Sequence, residues 1–159
     1  MFNKITPCLW FDTQAEDAAR FYTGIFKNSK ITDMARYPEA AGEIGRSEGA
    51  VMVVGFELEG QSFTALNGGP HFKFSEAISL QVDCAIQDEV DYFWDRLSEG
   101  GQTQQCGWLK DKFGLSWQIV PTIVPQVMNH PDKAKREAAF KAMMGMEKPD
   151  IAALQAAAT

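Results

Sequence analysis

The chain has 159 residues, of which 45% are hydrophobic and 23% are charged, and its formal net charge is −6. A chain of this size and composition is expected to form one domain, or two small modules, with a sizeable core. The acidic balance argues against nucleic acid as a partner, because phosphate binding needs a basic face.

The beginning of the chain, MFNKITPCLWF, lacks the apolar core and small-residue cleavage site of a signal peptide. No stretch approaches the ~20 apolar residues of a membrane span, so we expect a cytoplasmic protein without a membrane partner. The three cysteines, Cys8, Cys84 and Cys106, are widely spaced and form no CxxC pair. Neither a disulfide framework nor a cysteine zinc site is therefore expected.

The first half of the chain is predicted to form a strand, a helix and three further strands. The apolar run Ile5–Phe11 predicts a strand that Pro7 places at a sheet edge or a bulge. A helix follows over about residues 14–26, where Thr13 and Glu16 resemble a capping box and apolar residues recur at helical spacing. Further strands are expected at 29–37, 50–58 and 61–66, and the polar loop 38–49 is expected to be mobile.

The second half of the chain repeats this order after Asn67-Gly68-Gly69-Pro70, the strongest break in the sequence. A strand is predicted at 78–85, a helix at 88–98 that Gly100-Gly101 stops, and strands at 102–105, 107–110 and 115–120. The order of elements therefore indicates an internal βαβββ repeat. We expect modules at residues 1–69 and 70–125, followed by a helical tail at 126–159.

The tail is predicted to contain a helix after His130-Pro131-Asp132 and a shorter helix over 149–158. The first of these has an apolar side formed by Ala134, Ala138, Phe140, Ala142, Met143 and Met144. Such a tail is expected to pack on a surface, which is either its own sheet or a partner subunit.

Three stretches resemble a known family: ITPCLWFDTQAEDAARFYTGIF, NGGPHFKFSEAISLQVDC and CGWLKDKFGLSWQIVP. They are similar to the PhnB-like branch of the vicinal-oxygen-chelate superfamily, which includes glyoxalase I, bleomycin-resistance proteins and extradiol dioxygenases. That branch is often labelled 3-demethylubiquinone-9 3-methyltransferase. The resemblance implies an α+β fold in which two βαβββ modules form a curved mixed sheet around a cavity, with C-terminal helices, and it implies a homodimer.

The methyltransferase label is not expected to describe the activity. A methyl donor such as S-adenosylmethionine is usually held by a Gly-rich turn between a strand and a helix in a parallel sheet. In this sequence Gly42 and Gly45 lie in a loop, and Gly68-Gly69 is followed by proline without a helix.

Metal-dependent relatives take His, Gln or Glu ligands from the first and last strands of each module, and few such residues occur here. Gln118, in the last strand of the second module, stands where relatives carry a metal-binding glutamate. The first strand of that module offers only Ile78 at its ligand position. In the first module, the first strand offers Ile5, Thr6 or Pro7, and the last strand offers Thr64 or Asn67. His71 and His130, the two histidines of the chain, lie outside these strands. One neutral ligand does not hold a divalent ion, so we expect neither a metal nor another cofactor.

Cys106 has two interpretations. If strand alternation is unbroken, it shares a face with Trp108 and Lys110, and the lysine weakly activates the thiol. The favoured alternative is a packed cysteine that acts as a small hydrophobe.

The aromatic residues are expected to divide between the core and a cavity. If Gln118 faces the cavity, Trp117 packs beneath a helix, because neighbouring strand residues point to opposite faces. The turn Asp111–Gly114 needs a positive φ, which Gly114 supplies. The residues that we predict to bind a ligand are Gln118, Asn67, Trp10, Trp108 and Cys106, with Ser116 as a further polar anchor.

Three functions remain open on this sequence. The first is metal-free binding of a small apolar or aromatic molecule in an apolar cavity. The second is an enzyme of the superfamily's lyase, isomerase or dioxygenase type, against which the missing metal ligands count. The third is a dimeric scaffold without a ligand. The scaffold alone does not decide between them.

Overall fold

Two four-stranded mixed sheets, each packed against one long helix, form the framework of the protein. The computed structural model describes residues 3–159. The chain divides into two compact units, Met1–Phe74 and Ser75–Thr159, so the helical tail belongs to the second unit.

The first unit contains one helix and four strands in the predicted order. Its elements are β1 (Cys8–Phe11), α1 (Ala15–Ile25), β2 (Ser29–Arg36), β3 (Val51–Leu58) and β4 (Gln61–Asn67), with a 3₁₀ helix at Glu39–Ile44. The strand order is β1-β4-β3-β2, in which β1 runs parallel to β4 and the other pairs are antiparallel. β1 begins only after Pro7, which has no N–H to give to a ladder.

The core of the first unit lies between this sheet and α1. Alternate residues of β3 and β4 are buried, and the ring of Phe56 stacks on Phe63 at 5.2 Å and on Tyr22 of α1 at 6.1 Å. Ala15, Ala18 and Ala19 are fully buried, so α1 approaches the sheet closely through small side chains. The predicted helical face is therefore confirmed.

The second unit repeats the strand order of the first. Its elements are β5 (Leu80–Cys84), α2 (Gln87–Ser98), β6 (Gln102–Thr103), β7 (Trp108–Lys110), β8 (Ser116–Pro121), α3 (Val124–Met128), α4 (Lys133–Met144) and α5 (Ile151–Ala157). The sheet runs β5-β8-β7-β6, with β5 parallel to β8. The predicted βαβββ repeat is confirmed, since each unit contains a strand, a helix and three further strands in that order. In both sheets the first strand lies beside the last.

The tail packs on its own unit. The N–H groups of Cys106 and Gly107 donate to the carbonyls of Met146 and Glu147, each at 2.8 Å. The side chain of Gln87 on α2 donates to Pro149 O and accepts from Ile151 N, which fixes the start of α5. These bonds tie the tail to both α2 and the segment before β7.

The apolar side predicted for α4 is buried only in part. Ala139 is buried and Ala138, Ala142 and Met143 are half-buried, whereas Ala134, Phe140 and Met144 are exposed. The helix packs on α3 and α5 with a face that overlaps the predicted one without coinciding with it. The N-terminus of α4 is as expected, since Asp132 accepts a hydrogen bond from Ala134 N at 2.8 Å.

Among residues 3–159, no helix combines the length and the apolar character that a membrane span requires.

Candidate functional site

Each sheet buries one face beneath its helix and leaves the opposite face less covered. In β8, Trp117 and Ile119 are buried, whereas Gln118 and Val120 on the opposite face are half-buried. We call the side of the second sheet that carries Gln118 its open face. The prediction that Trp117 is buried while Gln118 points the other way is confirmed.

The centre of the open face is a row of three side chains on neighbouring strands. Gln118 of β8 pairs with Trp108 of β7 on one side and with Gln81 of β5 on the other. Side chains paired across strands in this way have Cβ atoms about 5 Å apart. The amide Nε2 of Gln118 donates to Ser79 Oγ at 2.9 Å. An indole ring and an oriented amide therefore stand side by side.

The next row of the open face carries a cation and a hydroxyl. Lys110 of β7 pairs directly with Ser116 of β8. Ser116 is completely buried, and its Oγ has no hydrogen-bond partner among the described residues. The ammonium of Lys110 contacts the carboxylate of Glu76, and this hydrogen bond lowers the pKa of Glu76 below its usual value.

The hairpin between β7 and β8 is held by a buried carboxylate. Asp111 is 3% exposed and accepts hydrogen bonds from Phe113 N, Leu115 N and the indole N–H of Trp117, at 2.9, 3.1 and 2.9 Å. Gly114 has φ 88°, as this turn was predicted to require. The sequence predicts the turn but not the role of Asp111, because the partners of its carboxylate depend on the path of the chain around it.

Asn67, a predicted ligand-binding residue, lies at the end of β4 and is buried. Its Oδ1 accepts from Ala15 N at 2.8 Å, and its Nδ2 donates to Val51 O at 3.0 Å. The hydroxyl of Tyr37 donates to its backbone carbonyl. Asn67 thus caps α1, and the predicted Thr13–Glu16 capping box is wrong, since the N-cap residue Gln14 makes no side-chain cap bond.

A cleft of about 360 Å³ in the first unit opens beside the start of α1. Asp12, Glu16 and Asp17 line it together with Arg46, whose guanidinium donates to Gly68 O at 2.7 Å. Three of the four charged side chains in its lining are acidic. Asn67 also borders this cleft, but its side-chain amide is already bonded to the backbone.

Trp10, another predicted site residue, lies in β1 on the side away from the buried Leu9 and Phe11. Its indole N–H donates to Gly69 O at 2.9 Å, and its ring meets Phe72 edge-on at 4.8 Å. The polar end of this tryptophan is therefore engaged within the first unit.

Cys106 does not lie in a strand. It precedes β7 with a φ of 59°, so the expected alternation that would align it with Trp108 and Lys110 is wrong. Its Sγ lies 3.6 Å from the Met144 sulfur. The prediction of an activated thiol depended on that alternation and loses its basis.

The donor set of the open face does not suit a metal ion. It offers the neutral oxygens of Gln81, Gln118 and Ser116 and the carboxylate of Asp83, which accepts from Gln81 Nε2 at 2.8 Å, while the carboxylate of Glu76 is paired with Lys110. Three neutral oxygens and one such carboxylate hold a transition ion weakly. Within residues 3–159, no three His, Cys, Asp or Glu side chains are grouped in a way that suits an ion. His71 is exposed, and His130 Nδ1 accepts from Asp132 N at 3.0 Å.

The family model described as 3-demethylubiquinone-9 3-methyltransferase matches residues 3–120. The chain is 34% identical to a solved PhnB protein from Bacillus cereus that carries the same description, with 76% of this chain and 100% of that chain covered and a TM-score of 0.68. No curated protein matched the chain.

Two more distant structures share the fold. Protein PA1353 from Pseudomonas aeruginosa is 17% identical over 76% of this chain and 98% of its own, with a TM-score of 0.60. The fosfomycin resistance protein FosX from Listeria monocytogenes, solved with Mn(II) and sulfate, is 11% identical over 83% of this chain and 99% of its own, with a TM-score of 0.55. With these matches, the chain belongs to the PhnB-like family described as 3-demethylubiquinone-9 3-methyltransferase and has the glyoxalase-like fold.

Proposed function

We propose that the protein binds a small, flat organic molecule without a metal, at the open face of the second sheet. The observation that carries this proposal is the row in which Trp108 stands beside Gln118. Small-molecule sites typically combine apolar walls with a few well-placed polar groups. The indole ring offers a large flat surface for the ligand, and a hydrogen bond to the neighbouring amide would fix the orientation of the ligand.

The hydrogen bond from Gln118 to Ser79 supports a role for Gln118 as the polar anchor. Because Nε2 is engaged at 2.9 Å, the orientation of the amide is set, and its carbonyl oxygen is left to accept a hydrogen bond from a ligand. Trp10, Asn67 and Cys106 stay predictions as ligand contacts, and the bonds that they already make within their own units favour Gln118 and Trp108 over them.

The alternative is an enzyme of the lyase, isomerase or dioxygenase type. FosX shares the fold and is described with Mn(II) and sulfate, but the donors of the open face here, which are three neutral groups and the Asp83 carboxylate, count against metal-dependent chemistry. Methyl transfer is less supported still. The turn between β1 and α1 is Asp12-Thr13-Gln14, without the glycines that cradle a nucleotide-like methyl donor.

A thermal-shift screen of the purified protein against divalent metals and a library of metabolites and antibiotics tests this proposal. A ligand that binds the folded state raises the melting temperature, and we expect flat organic molecules, not metals, to do so. Gln118→Leu should abolish the shift, while Gln105→Leu at an exposed position should keep it. Stabilisation by a metal alone would favour the enzyme, and no stabilisation by any compound would favour a scaffold.

We also propose a homodimer in the cytoplasm. The exposed Phe140 and Met144 on α4 provide apolar surface for a second copy, and the three unpaired cysteines suit a reducing compartment. Light scattering after size-exclusion chromatography should give twice the chain mass, and Phe140→Ser should shift the protein toward the monomer. A monomer at micromolar concentration would refute the dimer.

A further inference from the structure

Ser116 carries a buried side-chain hydroxyl. Its side chain is fully buried, and its Oγ has no hydrogen-bond partner among residues 3–159. Burying a hydroxyl without a partner is unfavourable, and most buried polar groups are hydrogen-bonded. By strand alternation Ser116 shares the open face with Gln118, two residues away. The hydroxyl therefore adds an unused polar group to the site proposed above.

Lys110 stands directly opposite this hydroxyl. The register pairs Lys110 with Ser116, and paired side chains across strands lie within reach of one small group. The lysine side chain is 32% exposed, so its ammonium is partly shielded from water. An oxyanion that enters between these two side chains can accept one hydrogen bond from the ammonium and one from the hydroxyl.

Glu76 already places an oxyanion against Lys110. Its carboxylate is ion-paired with Lys110, although the glutamate lies outside any strand or helix, between Ser75 and the exposed Ala77 and Ile78. The Glu76 side chain is 50% exposed, and exposed ion pairs contribute little to stability. A carboxylate held so weakly is easily replaced by another anion.

We infer that the molecule bound at the open face is an organic anion such as an aromatic carboxylate, that Lys110 and Ser116 bind its charged group, and that Glu76 competes with it for Lys110. This inference rests on the proposed function, because the flat part of the same molecule lies on Trp108 beside Gln118. Each row then binds one part of the ligand. Lys110 and Ser116 bind the charged group, and Trp108 contacts the ring.

The experiment compares 2-naphthoate with its neutral counterpart 2-naphthamide by isothermal titration calorimetry on the full chain. Wild type should bind naphthoate more tightly than naphthamide. Glu76→Gln should raise naphthoate affinity about two- to fivefold, the range that an exposed ion pair supplies, and leave naphthamide affinity unchanged. Lys110→Gln should remove the preference for the acid. Ser116→Ala should weaken naphthoate binding without lowering the melting temperature, because it deletes an unpartnered hydroxyl.

Matched controls separate a specific site from general charge effects. Glu99→Gln and Lys112→Gln make the same charge changes at exposed positions and should leave both affinities as in wild type. Equal binding of the two probes, without a response to Glu76→Gln, would overturn the anion site and leave the proposed function intact. No binding of either probe to any variant would overturn both. Naphthoate binding to Glu76→Gln alone would support competition by Glu76, and an equal loss in Lys110→Gln and Lys112→Gln would refute the site.

Discussion

The two sheets share one strand order but differ in what stabilises them. Three strands of the first sheet have seven or eight residues, and stacked aromatic rings fill the space beneath its helix. No strand of the second sheet exceeds six residues, and β6 and β7 have two and three. The second unit has fewer hydrogen bonds between its strands, and it is stabilised in addition by the buried carboxylate of Asp111 and by the helical tail that packs on it. Its open face, in turn, carries polar and charged side chains.

Each sheet relies on one buried polar side chain, and the first two predictions compare them. Asp111→Ala should destabilise the protein by about 3 kcal/mol, because it leaves two backbone N–H groups and the Trp117 indole without their charged acceptor. Urea unfolding of wild type and variant measures the difference. The exposed Asp95→Ala should change stability by no more than about 0.5 kcal/mol. A loss below about 1 kcal/mol for Asp111→Ala would show that the short sheet does not depend on this turn.

Asn67→Ala should cost less, about 2 kcal/mol, because it removes two neutral hydrogen bonds, one of which caps α1, from a unit with longer strands. Circular dichroism during urea unfolding gives the value. Asn129→Ala removes one exposed hydrogen bond, to Pro125 O, and serves as the control. If Asn67→Ala proves as costly as Asp111→Ala, the contrast between the two sheets fails.

The attachment of the tail gives a smaller effect. Gln87→Ala should lower stability by about 1 kcal/mol, because Ile151 N and Pro149 O each lose a partner. Hydrogen exchange should accelerate at the Ile151 amide and leave the amides of β3 unaffected. Gln155→Ala, at an exposed position of α5, should leave the exchange rates unchanged. Faster exchange across the first unit as well would contradict a local role for Gln87.

The smallest predicted effect concerns Glu76. Because Lys110 lowers the pKa of Glu76 below the ordinary 4.5, the pair stabilises the fold fully above that pH. This contribution is lost as the pH falls through the lowered pKa of the folded state. Melting temperatures from pH 7 to pH 3 should therefore fall slightly more for wild type than for Glu76→Gln. Parallel curves for the two proteins would mean that the ion pair does not form in solution.

Sequence patterns predicted the elements that depend on local periodicity. The helical spacing of Ala15, Ala18, Ala19 and Tyr22 gave α1, and strand alternation placed Trp117 and Gln118 on opposite faces. Both inferences succeed because each uses a repeat within one element. The order of the elements likewise predicted the duplicated topology.

The errors arise where distant residues decide the outcome. Asn67 caps α1 from a strand that lies far along the chain, so the local Thr13–Glu16 pattern wrongly predicted a capping box. Cys106 adopts a positive φ where the tail bonds to its N–H, which breaks the predicted alternation. The pairing of Lys110 with Ser116 requires the register of the hairpin, and no residue in either strand specifies that register alone.

The strand order has a consequence for how the protein folds. In each sheet the first strand pairs with the last, so Cys8 meets Thr64 and Leu80 meets Trp117. A sheet of this kind stays incomplete until its final strand has been synthesised, and pairing over such separations slows folding. On the ribosome, the first unit has its complete sheet available before the second. The tail segments that bond to Gln87, Cys106 and Gly107 follow β8 in the chain, so the second unit reaches its final form only after residues 146–151 have been synthesised.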